Sequence, residues 1–336
     1  MVFSEDTGLI KHTKLLNKNR MKLNKRSFIL IICSLVFLFV GCHRGKKVVP
    51  ESMVTGHATI AADEALMPVM NAELDVFHSI YNFSSIECKY VSEYDAVNLL
   101  LQEKIRLAII TRPLNQKEND YFKSKKIIPE SIPLAYDAIA VIVNSENKTD
   151  VITTKQVSQI LSGVITNWNQ LTNSGKEGNI RQVFDAESSG IIRSLNDSLQ
   201  LNKKISGDIQ FAGSNKKIIE MVAADSNGIG FVGLNWLSEN ESPKVQEYLK
   251  RVKFVAVSIS SNIDSINGLK PSPKNIFDLR YPLIRRVYAI YTDPSASLAR
   301  GFLAHLTSDR GQKIIYRIGL KPEFDFQRLV KINADY

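Results

Sequence analysis

The chain has 336 residues, 44% hydrophobic and 23% charged, enough for two domains of ordinary size with buried cores. That balance excludes a collagen-like, disordered or disulfide-stapled chain. The net charge of +9 is concentrated at the start: residues 1–41 hold seven basic side chains (Lys11, Lys14, Lys18, Arg20, Lys22, Lys25, Arg26) and two acidic ones (Glu5, Asp6). The remainder has 36 basic against 32 acidic residues, a net +4, with no Lys/Arg block interleaved with aromatics. No nucleic-acid partner is therefore expected.

Phe28 to Gly41 is one apolar run, FILIICSLVFLFVG. It is short for a membrane span and right for the h-region of a signal peptide, with Lys22, Lys25 and Arg26 as its positive flank. Met21 opens this signal in the usual way, which reads residues 1–20 as an over-called start and 21–41 as the signal. The run ends Phe39-Val40-Gly41-Cys42. This resembles the bacterial lipobox, in which a small residue precedes the Cys that is lipidated; Phe39 stands where Leu is usual. Cys42 is the expected lipidation site and 42–54 the lipidated Cys and tether. A plain signal peptide or a single anchor helix is the alternative. Cys33 leaves with the signal, so Cys88 is left alone and no intramolecular disulfide forms. Cys88 is expected to be a buried small hydrophobe.

From Gly56 onward strands and helices alternate. Ala58–Ala61 reads as a strand. Leu66, Met70, Leu74, Phe77 and Tyr81 form one helical face. Ile86–Val91 is a strand, Tyr94–Lys104 a helix with Ala96, Leu99 and Leu100 inward, Leu107–Thr111 a short buried strand and 116–125 a polar helix. Ile132–Asn144 is a long apolar strand. This order predicts parallel strands with crossover helices. Thr154–Ser162 reads as a helix with Thr153 or Thr154 as N-cap and Gly163 past its end. Strand Ile180–Phe184, helices Ser189–Leu199 and Asn215–Ala224, and strands Gly228–Gly233 and Val252–Ile259 follow. Strand Arg286–Thr292 and helices Ser295–Thr307 and Gly311–Ile318 close the chain.

Several segments then match a known order. Ala61–Pro68 reads AADEALMP, Ala108–Leu114 AIITRPL, Ile160–Trp168 ILSGVITNW and Gly228–Val232 GIGFV; Ser188-Ser189-Gly190, Tyr281-Pro282-Leu283 and Ser308–Gln312 complete the set. In this order, over about residues 56–322, the chain resembles the periplasmic phosphate-binding proteins of ABC transporters. The resemblance implies an α/β, two-lobed periplasmic binding protein of type II, each lobe a mixed sheet flanked by helices, with two crossing strands as the hinge. Lobe 1 is expected at 55–134 and 284–336, lobe 2 at 135–283.

Three loops suit a small oxyanion, because each leaves a strand and opens a helix whose free N–H groups and dipole favour negative charge. They supply the candidate ligand-binding residues: Asp63, Glu64 and Ala65; Thr111 and Arg112; and Asp185, Ser188, Ser189, Gly190, Ile191 and Arg193. Plain helix capping is the competing explanation for each loop. The pattern departs from the family's. Asp185 stands where the family has Arg, Thr111 where it has Asp, Ile191 where it has Thr, and the first-loop hydroxyl falls at Glu64 or Ala65. Arg112 and Arg193 thus become the candidate guanidiniums, able to grip an oxyanion bidentately; surface pairing with Asp63, Glu64, Asp185 or Glu187 is the competing role. Asp63 and Asp185 are candidate acceptors, which would separate protonated phosphate from sulfate. His57, His78 and His305 have no metal-type spacing, so no metal or cofactor is expected. Trp168 and Trp236 read as packing residues.

The resemblance implies a substrate-binding lipoprotein, not an enzyme. It would lie at the cell membrane, lipid-anchored and facing the periplasm or cell exterior, and pass inorganic phosphate or a related oxyanion to ABC permease subunits. The first rival is a ligand-poor signalling or scaffolding lipoprotein on the same fold. The second is a hydrolase, which needs a His near Ser188 or Ser189 that the sequence does not offer nearby.

Overall fold

The computed structural model describes residues 51–171, 175, 177–201, 204–238, 242–259 and 268–326. The signal, Cys42 and most of the tether lie outside these residues. In chain order the strands are β1 (Gly56–Asp63), β2 (Ser84–Val91), β3 (Leu107–Ile110), β4 (Glu130–Asn144), β5 (Val151–Thr153), β6 (Arg181–Phe184), β7 (Asp208–Phe211), β8 (Gly228–Gly233), β9 (Val252–Phe254), β10 (Ala256–Ser258), β11 (Ile284–Tyr291) and β12 (Lys321–Pro322). The α-helices are α1 (Met67–Ile80), α2 (Glu93–Leu101), α3 (Gln116–Ser124), α4 (Thr154–Leu161), α5 (Gly190–Ser198), α6 (Asn215–Ala224), α7 (Pro243–Arg251), α8 (Pro273–Phe277), α9 (Leu298–Thr307) and α10 (Asp309–Arg317).

Local chemistry sets these boundaries. Pro68 sits in the first turn of α1, where its missing N–H costs nothing. Asn115 with Glu118, and Thr153 with Gln156, form capping boxes at α3 and α4. Gly163 follows α4 at φ +70°, a conformation that suits glycine. In β8, a Cβ on Gly230 would lie 2.8 Å from side-chain carbons of both Ile218 and Val222. Only glycine lets α6 pack this closely on the sheet.

One strand path runs β2-β1-β3-β11-β4-β8-β6-β7, with β9 and β12 also on β4; β5 and β10 pair separately. β1 is parallel to β2 and β3, as the alternation predicts. β6 is likewise parallel to β7 and β8, and β5 to β10; the parallel expectation fails at the crossing strands. β11 is antiparallel to both β3 and β4, and β4 is antiparallel to β8. β4 leaves the first lobe and β11 returns to it alongside, so two crossing strands that travel in opposite directions pair antiparallel. The expected strand 252–259 is two strands in two sheets, β9 on β4 and β10 on β5. The change happens at Val255, whose N–H still donates to Val141 O at 2.9 Å. β5, β7, α7, α8 and β12 were not expected from the sequence.

The apolar cores follow the crossing. One cluster draws on Ala138 to Leu283 with Ala65; two others draw on Ile60 to Ala135 and Val287 to Leu320. We call the second pair lobe 1 and the first lobe 2. Trp168 and Trp236 are buried in the lobe 2 cluster, as packing residues. Cys88 is a free thiol, half-buried rather than fully buried, and burial pushes its pKa up to about 12.

Candidate ligand-binding site

The candidate loops meet where the strand ends of the two lobes face each other. Thr111, directly after β3, is buried. Its backbone N–H and hydroxyl both donate to Oε2 of Glu93, at 2.9 and 2.6 Å. Glu93 is the first residue of α2, behind the N-cap Ser92. From lobe 2, Arg193 on α5 donates through Nε to Glu93 Oε1 at 2.6 Å and through Nη2 to Thr111 O and Oγ1 at 3.0 and 2.8 Å. Arg112 Nε lies 3.3 Å from the same Glu93 Oε1. Burial alone would raise the pKa of Glu93, but the Arg193 guanidinium and the Thr111 donors outweigh it and hold the carboxyl below its ordinary value.

Neither arginine pairs with the acids named for it from sequence. Arg112 forms a two-pronged bond to Glu118, 2.7 and 2.8 Å, and reaches Pro113 O at 3.0 Å. Glu118 lies six residues on in the capping box of α3, so that pairing is local. Arg193 adds Asp197 at 2.5 Å, one turn along its own helix, and Ser194 at 2.8 Å.

The third loop forms the N-terminus of α5. Ser189 is the N-cap, its hydroxyl accepting from Ile191 N–H at 3.0 Å, so both residues serve as capping predicts. Ser188 is exposed and Ile191 buried. Gly190 points into the junction: a Cβ there would lie 2.1 Å from Asp63 Oδ2 and 3.2 Å from Glu93 Oε2. Asp185 is buried after β6 and its Oδ1 has no hydrogen-bond partner among the described residues. Burial raises its pKa, against the Ser189 hydroxyl and the Ala186 N–H.

The first loop works across the lobes. Asp63 Oδ1 accepts from Ala65 N–H at 3.0 Å, while Oδ2 finds no hydrogen-bond partner among the described residues. Complete burial pushes the Asp63 pKa up to about 7; Arg285 pulls it down, while Glu93 and Asp185 add to the rise. Glu64 reaches lobe 2, where its Oε2 accepts from both N–H and Nδ2 of Asn215 at 2.9 and 2.7 Å. Burial still raises its pKa. Ala65 O accepts from Asn235 Nδ2 at 2.7 Å.

Three residues central to this arrangement were missed from the sequence. Glu93 follows β2 and opens α2, the same strand-to-helix pattern that singled out the other loops. Arg285 and Asp137, both buried, pair on the crossing strands at 2.8 and 3.0 Å. The signal was a charge inside the apolar run LAYDAIAVIV. Arg285 Nη1 has no hydrogen-bond partner among the described residues. Burial works against its charge, but Asp137 foremost, then Asp63 and Glu93, hold it protonated. Chemically, the junction is a set of anion donors from both lobes with several carboxyls packed around it. His57 contacts Ser85, His78 bonds to Ile86 N–H and His305 contacts Glu73, so each is engaged away from Ser188 and Ser189.

Residues 48–310 match the model of the PBP superfamily domain. The chain belongs to this family. It is distantly related to binding proteins of phosphate transport. It is 27% identical over 226 residues to protein SphX of Synechococcus elongatus, covering 65% of this chain and 63% of that protein, just under two thirds of its length. It is 25% identical over 307 residues to the phosphate-binding protein PstS of Borreliella burgdorferi, covering 88% and 98% of the two chains. Among solved structures it is similar to a putative phosphate ABC transporter substrate-binding protein with bound phosphate from Clostridium perfringens, TM-score 0.66 at 20% identity, over 80% of this chain and 99% of that one. That likeness supports the two-lobed periplasmic binding protein fold. The family is one of substrate-binding proteins, not of enzymes.

Proposed function

We propose that this chain is a membrane-anchored substrate-binding lipoprotein that captures a small oxyanion, phosphate, and delivers it to an ABC permease outside the cytoplasmic membrane. The observation that carries the reading is the convergence of Thr111, Arg193 and the N-terminus of α5 between the lobes. Backbone and hydroxyl donors from one lobe and a guanidinium from the other suit an oxyanion gripped as the lobes close. The relatives named for phosphate binding support the choice of anion. The candidate contacts are Thr111, Ser189, Gly190, Ile191 and Arg193, with Asp63, Glu64, Ala65, Arg112, Asp185 and Ser188 around them. Lobe 1 is assigned to 55–134 and 284–336 and lobe 2 to 135–283.

Calorimetry with phosphate and sulfate tests the ligand. Phosphate is expected to bind in preference to sulfate, and Arg193→Ala to weaken it by about 1.5–3 kcal/mol, the scale of a hydrogen bond to a charged group. Absence of phosphate binding in every variant removes phosphate from the reading. The anchor rests on Gly41-Cys42 at the end of the apolar run. Mass spectrometry should find lipid on Cys42 and lose it in Cys42→Ala; mature protein without lipid there refutes the anchor.

A ligand-poor signalling or scaffolding lipoprotein is the second reading. The carboxyls of Asp63, Glu93 and Asp185, buried beside the donors, favour it. A thermal-shift screen in which phosphate, sulfate, molybdate and organic acids all leave the midpoint unchanged would select it.

A further inference from the structure

We propose that Glu93 is the specificity-determining residue of the cleft: its carboxylate is an internal ligand, filling the oxyanion position that an external ligand has to take over. The identity of the external ligand rests on the phosphate reading above; the role of Glu93 rests on geometry.

Three donors end on this one carboxylate, the N–H of Thr111, its hydroxyl and the Arg193 guanidinium, and Arg112 Nε makes an ion pair with it at 3.3 Å. They come from both lobes, so Glu93 bridges the lobes as a captured anion would. An ordinary surface carboxylate collects one or two such partners; this one is buried with its donors aimed inward. A second anion beside it would compete with a close contact: Glu93 Oε2 lies 3.2 Å from the Cβ position of Gly190 at the start of α5. Charge argues the same way. With Asp63 and Asp185 nearby, adding a phosphate while Glu93 stays in place would bring like charges together in a buried site. A cavity of about 520 Å³ lies elsewhere, between Glu64, Pro68, Lys216, Trp236, Lys244 and Tyr248.

An internal ligand competes at a high effective concentration, because it is tethered beside its donors. External affinity is reduced by the fraction of molecules in which Glu93 has swung away. Glu93 begins its helix, so its side chain can leave without disturbing the strands. Removing the carboxylate should unmask the donors, and a small free carboxylate should be able to replace it.

The experiment is calorimetric titration of wild type, Glu93→Asp and Glu93→Ala with inorganic phosphate and, separately, with acetate. Circular dichroism confirms that each variant is folded. Glu93→Ala is expected to bind phosphate at least tenfold more tightly than wild type, with Glu93→Asp between them. Acetate should bind Glu93→Ala and not wild type. If wild type binds phosphate and Glu93→Ala binds it no more tightly, the proposal is overturned and the phosphate reading stands. If phosphate binds neither but acetate binds Glu93→Ala, the internal-ligand role stands and phosphate falls. If Glu93→Ala binds neither anion, the proposal is overturned. Should Glu93→Ala fail to fold, Glu93→Gln keeps the volume without the charge; phosphate binding no tighter than wild type then overturns the proposal.

Discussion

Gly190 and Asp63 touch across the cleft: a single added methyl on Gly190 would lie 2.1 Å from the Asp63 carboxylate oxygen Oδ2. The start of α5 therefore closes onto the end of β1 with no room for a side chain. Gly190→Ala is expected to hold the lobes apart, at a cost of about 1–3 kcal/mol as for other overpacked contacts. Small-angle scattering should show an enlarged radius of gyration and thermal unfolding a lowered midpoint. An unchanged radius and midpoint would refute the closed contact.

Asp63 also links closure to pH. Burial pushes its pKa up to about 7, from about 3.9 in an unfolded chain. The folded state therefore holds the proton more tightly than the unfolded one. Its contribution to stability is complete below about pH 4 and is lost as pH rises through about 7. Asp63→Asn cannot titrate and should flatten the dependence of the urea midpoint across that window. A slope equal to that of wild type would contradict the assignment.

In the lobe 1 core, Glu73 and His305 Nε2 lie 3.0 Å apart. Burial pushes Glu73 up to about 9 and His305 down to about 4, so near neutrality both are uncharged, and neither His305 Nε2 nor the Glu73 oxygens have a hydrogen-bond partner among the described residues. This is a close contact of two neutral groups rather than an ion pair. The Glu73 contribution is full below its unfolded pKa and lost as pH rises toward about 9; the His305 contribution is present above about 6.5 and lost as pH falls toward about 4. Glu73→Gln stays neutral at every pH. It is expected to keep the wild-type unfolding midpoint at pH 6 and to lose the decline toward pH 9. A large loss at pH 6 would show that the carboxyl is ionised.

The buried Arg285–Asp137 pair joins the two crossing strands. Arg285→Met would leave Asp137 uncompensated and remove the cation that also faces Asp63 and Asp185, at a cost of about 3–5 kcal/mol. The double variant Arg285→Met with Asp137→Leu removes both charges and should recover part of that loss. Denaturant unfolding of the three proteins checks this; equal stability of the single and double variants would argue against a direct pair.

Much of this architecture was legible in apolar spacing and caps. α6 and β8 begin and end where the sequence placed them, because Ser214 caps one and glycines bound the other. The antiparallel return of β11 was not legible, since strand direction depends on a crossing that local pattern does not encode. α7 carried a signal that was passed over, Pro243 after Ser242 with Val245 and Tyr248 buried on one face. At the site, sequence picked loops whose backbones converge, but not the partners of their side chains. Arg112 turns to Glu118, and Arg193 to Glu93, a hundred residues away along the chain. Such pairing is a property of the closed tertiary structure.

The bond between Glu64 and Asn215 makes one amide a reporter of that closure. Among the described residues Asn215 N–H donates across the lobes, to Glu64 Oε2, at the first turn of α6, where no carbonyl of its own helix can accept it. Whenever the lobes part, this amide loses its acceptor and becomes free to exchange with solvent deuterium. The N–H of Ile139, bonded to Leu283 O within the crossing strands, stays protected through the same motion. The ratio of the two exchange rates thus measures how often the molecule opens on its own, before any ligand is added.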